Sequence, residues 1–473
     1  MKLEQIYTGC IAEAAYYITS DGEAAIVDPL RETQPYIDRL ERDGVKLKYI
    51  FETHFHADFV SGHVDLAKKT GATIVYGPTK VETGFDRYVG SDGEIFYVGG
   101  IQIKLIHTPG HTMESSCFLV TDEKGKEHGL ISGDTLFIGD VGRPDLAQHV
   151  VEGLTQDKLA RHLYQSLRNK IMPLSDDLIV YPNHGAGSAC GKNMSKETTD
   201  TLGNQKKTNY ALNPQLTEDQ FVTEIISGLA PPPQYFPKNV MMNINGYATL
   251  DSVLEKAKKG LNAHEFENIA NETRALILDT RASDIFAKGF IPNSINIGIN
   301  GSFAMWVGEL IIDINQEILI VAENDEKVTE TIIRLSRVGY DNAIGYLEGG
   351  FDSWKNAKKE IDTINRITAQ QLELHFAKEP QVVIDVRKVS EFQAEHLENA
   401  INIPLNVLNE HLVEFPKNKT FVLHCAGGYR SMIAASILKQ RGFDNLVDVA
   451  GGFDAIKNTS LPKTNYVCPS TLL

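Results

Sequence analysis

The sequence has few cysteines, no long apolar run and no excess of basic residues. Its five cysteines are odd in number and widely spaced, so they do not suggest a disulfide framework. No apolar run reaches the length of a membrane span, which is about 20 residues, and the first residues lack the apolar core of a signal peptide. The net charge of −16 disfavours nucleic acid as a partner, because phosphate binding needs basic patches. We therefore expect a cytoplasmic protein that binds neither membranes nor nucleic acid.

The length of the chain predicts several domains, because 473 residues are too many for one hydrophobic core. Residues 1–205 alternate apolar runs typical of buried strands, such as 24–28 and 47–51, with helical patterns such as 34–43. The stretch 206–240 is rich in proline and predicts a linker without helices.

The rest of the chain repeats itself. Four short motifs recur in the same order, offset by 102 to 106 residues. The pairs are 277–281 with 383–387, 294–297 with 400–403, 339–342 with 442–445, and 349–352 with 451–454. This pattern predicts a duplicated domain, and the strand–helix–strand rhythm of each copy predicts a mostly parallel α/β sheet.

The second copy carries a candidate nucleophile in the sequence His-Cys-Ala-Gly-Gly-Tyr-Arg-Ser. A strand precedes Cys425 and a helix follows it, so the loop amides and the helix N-terminus favour the thiolate. Arg430 closes this loop as a second catalytic candidate, and we expect Gly427, Gly428 and Tyr429 to contact an anionic substrate. A cysteine-dependent phosphatase is the rival reading, but its loop is typically one residue longer.

The first copy has Ala322 where the second has Cys425. Its loop carries Glu323, Asp325 and Glu326, which repel anions and would raise the pKa of a nearby thiol. We therefore predict that the first copy is inactive and serves as a spacer or interface.

Three motifs in the first domain supply potential metal ligands. Thr-His-Phe-His-Ala-Asp-Phe places His54, His56 and Asp58 on one loop, Thr-Pro-Gly-His-Thr adds His111, and Ser-Gly-Asp-Thr-Leu-Phe adds Asp134. His54, His111 and Asp134 follow predicted strand ends. Two imidazoles and one carboxylate leave three open positions on an iron, which is the facial triad of non-haem Fe(II) oxygenases.

Together these three motifs resemble the metallo-β-lactamase superfamily. The residue after Asp58 is usually a third histidine there, and here it is Phe59, which cannot bind a metal. The alternative reading is a zinc thioester hydrolase of the glyoxalase II kind, with zinc on His54, His56 and His111. A second zinc would need Asp58, the missing histidine and His184, bridged by Asp134, so only a mononuclear zinc enzyme fits.

The repeated motifs resemble the rhodanese family, and the whole layout resembles bacterial persulfide dioxygenase–rhodanese fusion proteins. That resemblance implies one Fe(II) per chain on His54, His111 and Asp134. It also implies that His56 and Asp58 lie beside the ligands without binding the metal, and orient them.

Two further segments are candidates for substrate binding. Gly-Asp-Val-Gly-Arg-Pro-Asp places Arg143 after the metal residues, where its fixed planar cation would hold the site loop or an anionic substrate. His184, within Tyr-Pro-Asn-His-Gly, becomes a candidate donor towards the substrate. Cys190 follows six residues later, and a buried inert thiol is the commoner role for such a residue.

The predicted fold class is α/β, with a metallo-β-lactamase αββα sandwich followed by two rhodanese-like α/β domains. The expected bounds are 1–235, 240–360 and 362–473. The predicted function is oxidation of a low-molecular-weight persulfide of glutathione, coenzyme A or a similar thiol with O2 to sulfite, and sulfur transfer through Cys425 to form thiosulfate. We expect a homo-oligomer. A zinc thioester hydrolase and a non-catalytic sulfur carrier remain open alternatives.

Overall fold

The computed structural model describes residues 1–146, 153–229 and 231–467, so Cys468 lies outside the described residues. These residues form two compact units. The first contains Met1–Asp251 and Leu335–Gly339, and the second contains Ser252–Arg334 and Tyr340–Leu473. Within the described ranges, every helix is too short or too polar to cross a bilayer.

Two six-stranded sheets form the centre of the first unit. Across the first sheet lie β1 (Lys2–Thr8), β2 (Glu13–Ser20), β3 (Glu23–Val27), β4 (Lys46–Phe51), β5 (Thr73–Tyr76) and β6 (Tyr88–Val89). Across the second lie β7 (Ile95–Val98), β8 (Ile101–His107), β9 (Ser116–Thr121), β10 (Glu127–Gly133), β11 (Ile179–Pro182) and β12 (Asp200–Thr201). The first sheet is parallel from β3 to β6, whereas the second is antiparallel except between β10 and β11.

Helices cover the outer faces of both sheets. They are α1 (Gln34–Asp43), α2 (His63–Thr70), α3 (Gln156–Ser166, continued by a π-helical turn at Leu167–Ile171), α4 (Leu202–Thr208), α5 (Glu218–Ile226) and α6 (Phe236–Asn245). Phe51 and Phe118 pack between the sheets, whereas Leu163 and Phe221 bury α3 and α5 against the second sheet. With α2 packed on β4 and β5, the layers run helix, sheet, sheet, helix. The metal candidates lie in loops after the strand ends of this sandwich.

The segment predicted to be a linker without helices contains helices in the structure. Residues 206–240 include α5, whose Phe221, Val222 and Ile225 are buried, and the start of α6. Pro237 occupies the first turn of α6, where its missing N–H costs no hydrogen bond, so it begins a helix rather than breaking one. The first unit thus continues through the expected boundary at 235–240 as far as Asp251.

The second unit contains two parallel five-stranded sheets with the same strand order. The first sheet contains β13 (Gly260–Leu261), β14 (Leu276–Asp279), β15 (Ile295–Asn296), β16 (Ile318–Val321) and β17 (Ala343–Leu347) in the order β13-β17-β16-β14-β15. The second sheet contains β18 (Asn365–Ile367), β19 (Val382–Asp385), β20 (Ile401–Asn402), β21 (Phe421–His424) and β22 (Leu446–Val449) in the order β18-β22-β21-β19-β20. An identical order is the expected outcome of a duplication.

The helices from residue 250 onward connect these strands. They are α7 (Leu250–Ala257), α8 (Ala263–Thr273), α9 (Ser283–Phe286), α10 (Phe303–Leu310), α11 (Asp325–Arg337), α12 (Gly350–Asn356), α13 (Ala369–Phe376), α14 (Val389–Ala394), α15 (Tyr429–Gln440) and α16 (Gly452–Ile456). Their order around the strands is the strand–helix–strand rhythm that the repeat predicts.

The repeated motifs build the same contact in both copies. An aspartate at a strand end pairs with an arginine two residues later, and the guanidinium lies over a phenylalanine ring. The residues are Asp279, Arg281 and Phe351 in the first copy, and Asp385, Arg387 and Phe453 in the second. The distances from guanidinium carbon to ring centre, 4.1 Å and 4.0 Å, agree closely, so the motifs conserve a stacked ion pair that serves the fold.

Candidate metal centre and cysteine loop

Three predicted ligands meet in the first unit. Asp134 Oδ2 lies 3.4 Å from Nε2 of His111 and 3.9 Å from Nε2 of His54, and all three side chains are buried. Neither carboxylate oxygen of Asp134 has a hydrogen-bond partner among the described residues. A buried carboxylate without donors is costly unless a cation compensates it, so this group fits a metal ion.

In His54 and in His111, a hydrogen bond to Nδ1 determines that Nε2 is the nitrogen with a free lone pair facing the metal group. Thr53 Oγ1 donates to Asp28 Oδ2 at 2.8 Å and lies 3.0 Å from Nδ1 of His54. Because the threonine proton is thus used, Nδ1 of His54 carries the hydrogen and Nε2 keeps its lone pair. Nδ1 of His111 donates to the Arg143 carbonyl at 2.8 Å with the same result. Burial and neighbouring histidines lower the pKa of His54 well below its usual value, which also keeps its lone pair available.

The loop at 139–145 lies directly against these ligands. The Gly142 N–H donates to the Asp134 carbonyl at 2.9 Å. A Cβ at Gly142 would lie 2.1 Å from that carbonyl oxygen and 2.8 Å from Nδ1 of His111, so only glycine fits. The Arg143 guanidinium binds both oxygens of Asp145 at 2.6 Å. Of the two roles expected for Arg143, holding the loop is the one that its contacts support.

His56 lies outside the group of three. Its ring is next to that of His54, with centroids 4.2 Å apart, but its Nε2 lies 3.0 Å from Asp28 Oδ1 and 3.4 Å from Glu52 Oε2. Burial alone would lower the pKa of His56, but these two carboxylates raise it well above the usual value. His56 groups with Asp28 and Glu52 rather than with His54 and His111, so the described geometry does not form the three-histidine zinc set.

Asp58, His184 and Cys190 form a second buried cluster beside the first. Nε2 of His184 lies 3.4 Å from Asp58 Oδ2 and 3.6 Å from Asp134 Oδ1. Burial, together with Asp58 and Asp134, raises the pKa of the Cys190 thiol well above its usual value, which keeps the thiol protonated. Phe59 is buried and its ring packs on His56, with centroids 4.3 Å apart.

A cavity of about 930 Å³ opens at the metal group. Of the metal group, His111 lines it, together with Phe55 and Ala57 from the ligand loop. Its remaining wall is mainly apolar and includes Val81, Val89, Met113, Leu146, Leu154 and Val240, with Lys80, Asp92 and His107 among its polar residues. The lining residues that the structure describes include neither Arg143 nor His184. The cavity has the size and apolar character of a site for a small organic molecule.

The cysteine loop lies between β21 and α15 in the second unit. The Gly428 N–H donates to Sγ of Cys425 at 3.1 Å, from a backbone with φ of 99° that favours glycine. The Phe453 N–H donates to the Cys425 carbonyl at 2.7 Å. A Cβ at Gly452 would lie 2.4 Å from that same oxygen, so the second glycine of the Gly-Gly-Phe-Asp motif allows the two loops to meet.

Two residues expected to contact substrate have other partners. Arg430 binds both carboxylate oxygens of Glu391, at 2.6 Å and 2.8 Å, which ties the loop to α14. The Tyr429 hydroxyl donates to the Gly298 carbonyl in the first copy at 2.7 Å. Gly427 is exposed at the mouth of the loop. The sequence gives no signal for Glu391 or Gly298, because both lie far from the motif.

The first copy has the same loop frame without a thiol. Ala322 follows β16, and residues 323–326 are exposed before and within the first turn of α11. A Cβ at Gly350 would lie 3.1 Å from the Ala322 carbonyl, which mirrors the approach of Gly452 to Cys425. The acidic side chains of this loop therefore face solvent where an anion would enter.

Comparisons with known proteins agree with this architecture. The model of the metallo-beta-lactamase superfamily matches residues 8–184, and the model of the rhodanese-like domain matches residues 262–357 and 368–459. The crystal structure of a metallo-beta-lactamase from Staphylococcus aureus subsp. aureus COL is 31% identical, with a TM-score of 0.63, and the match covers 73% of this chain and 98% of that one.

Two curated relatives match the first unit. Hydroxyacylglutathione hydrolase GloC from Haemophilus influenzae is 29% identical over 40% of this chain and 87% of its own length. The probable hydroxyacylglutathione hydrolase glo2 of Schizosaccharomyces pombe is 33% identical over 36% of this chain and 62% of its own length.

We expect Gly142→Ala to lose most of its metal, because the new methyl group must displace the Asp134 backbone or the His111 ring. Elemental analysis after anaerobic reconstitution with Fe(II) measures this loss. Gly9→Ala is the matched control, since a Cβ there would meet no atom within 4 Å. Equal metal content in the two variants would show that the glycine contact does not support the metal group.

Proposed function

Because the chain belongs to the metallo-beta-lactamase superfamily and carries two rhodanese-like domains after that fold, we propose that it couples persulfide oxidation to sulfur transfer. The first domain would convert a low-molecular-weight persulfide, RSSH, with O2 and H2O into RSH, sulfite and two protons. The Cys425 persulfide, formed from a second sulfane donor, would then pass its outer sulfur to sulfite and release thiosulfate and the Cys425 thiolate. Sulfite made at one site would be used at the other within the same molecule.

The position of His56 is the observation that carries this proposal. With His56 held by Asp28 and Glu52, the donors that remain together are two imidazoles and one carboxylate. That set fits one Fe(II) on His54, His111 and Asp134, and it leaves positions open for two reactants. Iron bound there would supply the redox chemistry that dioxygen requires.

The residues around the metal group would orient the ligands and the substrate. Thr53 and the Arg143 carbonyl fix the two imidazoles, and Gly142 lets the loop close over them. The apolar cavity would hold the organic part of the persulfide and exclude water from the reacting sulfur. Its volume supports a carrier thiol of drug-like size rather than bare hydrogen persulfide.

The residues around Cys425 would stabilise anionic sulfur. The Gly428 N–H already donates to Sγ, and the N-terminus of α15 lies directly behind the loop. Arg430 would act by holding the loop to Glu391, and it could turn to an anion only by giving up that ion pair.

A mononuclear zinc thioester hydrolase is the second candidate. The names of the two curated relatives, both hydroxyacylglutathione hydrolases, favour it. Zinc on three histidines would need a nitrogen of His56 beside those of His54 and His111, whereas His56 groups with Asp28 and Glu52 in this structure.

We expect one iron per chain and oxygen uptake that depends on a persulfide, because the three donors match Fe(II) and the cavity fits a thiol carrier. Anaerobic purification, elemental analysis and an oxygen electrode with glutathione and coenzyme A persulfides measure both. Stoichiometric zinc together with thioester hydrolysis would instead support the second candidate.

Replacing the nucleophile by Cys425→Ser should abolish thiosulfate formation and leave oxygen uptake largely intact, because Cys425 and the metal group belong to different units. Sulfite should then accumulate, and ion chromatography of both anions measures the change. Loss of oxygen uptake in this variant would mean that the cysteine loop supplies sulfur to the metal group.

Restoring only the thiol in the first copy, by Ala322→Cys in the Cys425→Ser background, should give little thiosulfate. The exposed Glu323, Asp325 and Glu326 would oppose both thiolate formation and anion entry. Neutralising those three carboxylates to their amides in the same background should raise the rate. Robust thiosulfate formation without neutralisation would contradict the role given to the acidic loop.

A further inference from the structure

Tyr429 connects the cysteine loop to the other copy. It directly follows Gly428, whose N–H donates to Cys425 Sγ, and its own hydroxyl donates to the carbonyl of Gly298 at 2.7 Å. Burial raises the pKa of Tyr429, so the phenol keeps the proton that it donates. The tyrosine therefore links the backbone around the nucleophile to a segment of the copy that lacks one.

The segment that receives Tyr429 is shaped for an aromatic ring. A Cβ at Gly301 would lie 2.5 Å from ring atoms Cε2 and Cζ of Tyr429, and a Cβ at Gly298 would lie 3.4 Å from Cε2. Contacts under 3.0 Å force displacement, so Gly301 must lack a side chain for the ring to lie where it does. Arg334 Nη1 donates to the Ile299 carbonyl at 2.6 Å and fixes the backbone between these glycines.

The rest of α15 is anchored to the same copy. The Asn296 N–H donates to Oγ of Ser436 at 3.0 Å, and Nε2 of Gln440 donates to the Asn293 carbonyl at 3.0 Å. Ser436 is fully buried in this contact. The helix that begins at Tyr429 is thus held by the first copy at its start, near its middle and at its end.

We propose that the first copy positions the sulfur-transfer loop of the second, with Tyr429 as the positioning residue and 298–301 as its docking segment. The proposal rests on the function proposed above for Cys425. Because Gly428 is adjacent in the chain, a shift of the Tyr429 ring turns the peptide whose N–H points at Sγ. The first copy would then serve to position the nucleophile of the second copy, although its own loop carries no nucleophile.

Two variants of the full-length chain test this proposal. Tyr429→Phe keeps the ring and removes the bond to Gly298, and Gly301→Ala displaces the ring. Loss of one hydrogen bond predicts about a threefold to tenfold lower rate of thiosulfate formation for Tyr429→Phe, and Gly301→Ala should be more severe. Both variants should also slow the alkylation of Cys425 by iodoacetamide, quantified on the Cys425 peptide over a range of pH, because the Gly428 N–H would no longer point at Sγ.

Tyr340→Phe is the matched control. Tyr340 is buried in the first copy, and its hydroxyl donates to the Ile311 carbonyl, so the variant loses the same kind of bond away from the cysteine loop. It should leave the alkylation profile at its wild-type position even if it lowers the melting temperature. A shift of that profile in Tyr429→Phe and Gly301→Ala alone supports positioning.

Wild-type alkylation profiles in Tyr429→Phe and Gly301→Ala, or the same shift in Tyr340→Phe, would overturn the proposal. The alkylation measurement needs no sulfur transfer. If the wild-type chain forms no thiosulfate, the function proposed for Cys425 is refuted. The alkylation profiles would still decide the role of Tyr429.

Discussion

The metal group of the first unit depends on Asp134, whose carboxylate is buried without a hydrogen-bond donor in the part of the chain that the structure describes. Burying the charge of Asp134 is tolerable only if positive charge lies against it, and the fold brings the rings of His54 and His111 there, which could hold a metal ion beside it. The strand ends of the second sheet supply two of the three donors, and the first sheet supplies the other. Packing the two sheets face to face therefore brings the three motifs, which are distant in the sequence, together as one candidate ligand set.

The sequence predicts the architecture well, because strand patterns and repeats are local features. The three ligand candidates that it names also lie together, and their role as metal ligands stays a prediction. The fold class, a metallo-β-lactamase sandwich followed by two rhodanese-like domains, is confirmed by the family matches and the sheet orders. Helix α1 has the predicted bounds, since its apolar spacing and the αL glycine that ends it are both visible in the sequence. The linker interpretation fails at α5 and α6, because proline content hides helices that begin with a capping box or a first-turn proline.

Contacts between distant segments could not be predicted from the sequence. Nothing near Arg430 indicates its pairing with Glu391, and nothing near His56 indicates that Asp28, 28 residues earlier, contacts its Nε2. That position 59 supplies no metal ligand follows from its residue type alone, because phenylalanine has no donor atom. The place of His56 beside the ligands was implied only by resemblance and stays a prediction. Its contact with Asp28 depends on a residue at the end of another strand, β3.

The hydrogen bonds that Asp28 accepts also bear on how proteins with this fold can diverge. This one carboxylate accepts bonds from the Thr53 backbone and hydroxyl, and from His56 Nε2. Exchanging Phe59 for histidine would add a donor to the ligand loop, yet Nε2 of His56 would still face Asp28 and Glu52. A change at Asp28 would release the Thr53 backbone, the Thr53 hydroxyl and His56 at once. The effect of a substitution in the ligand loop would therefore depend on this one carboxylate, which is what epistasis means in structural terms.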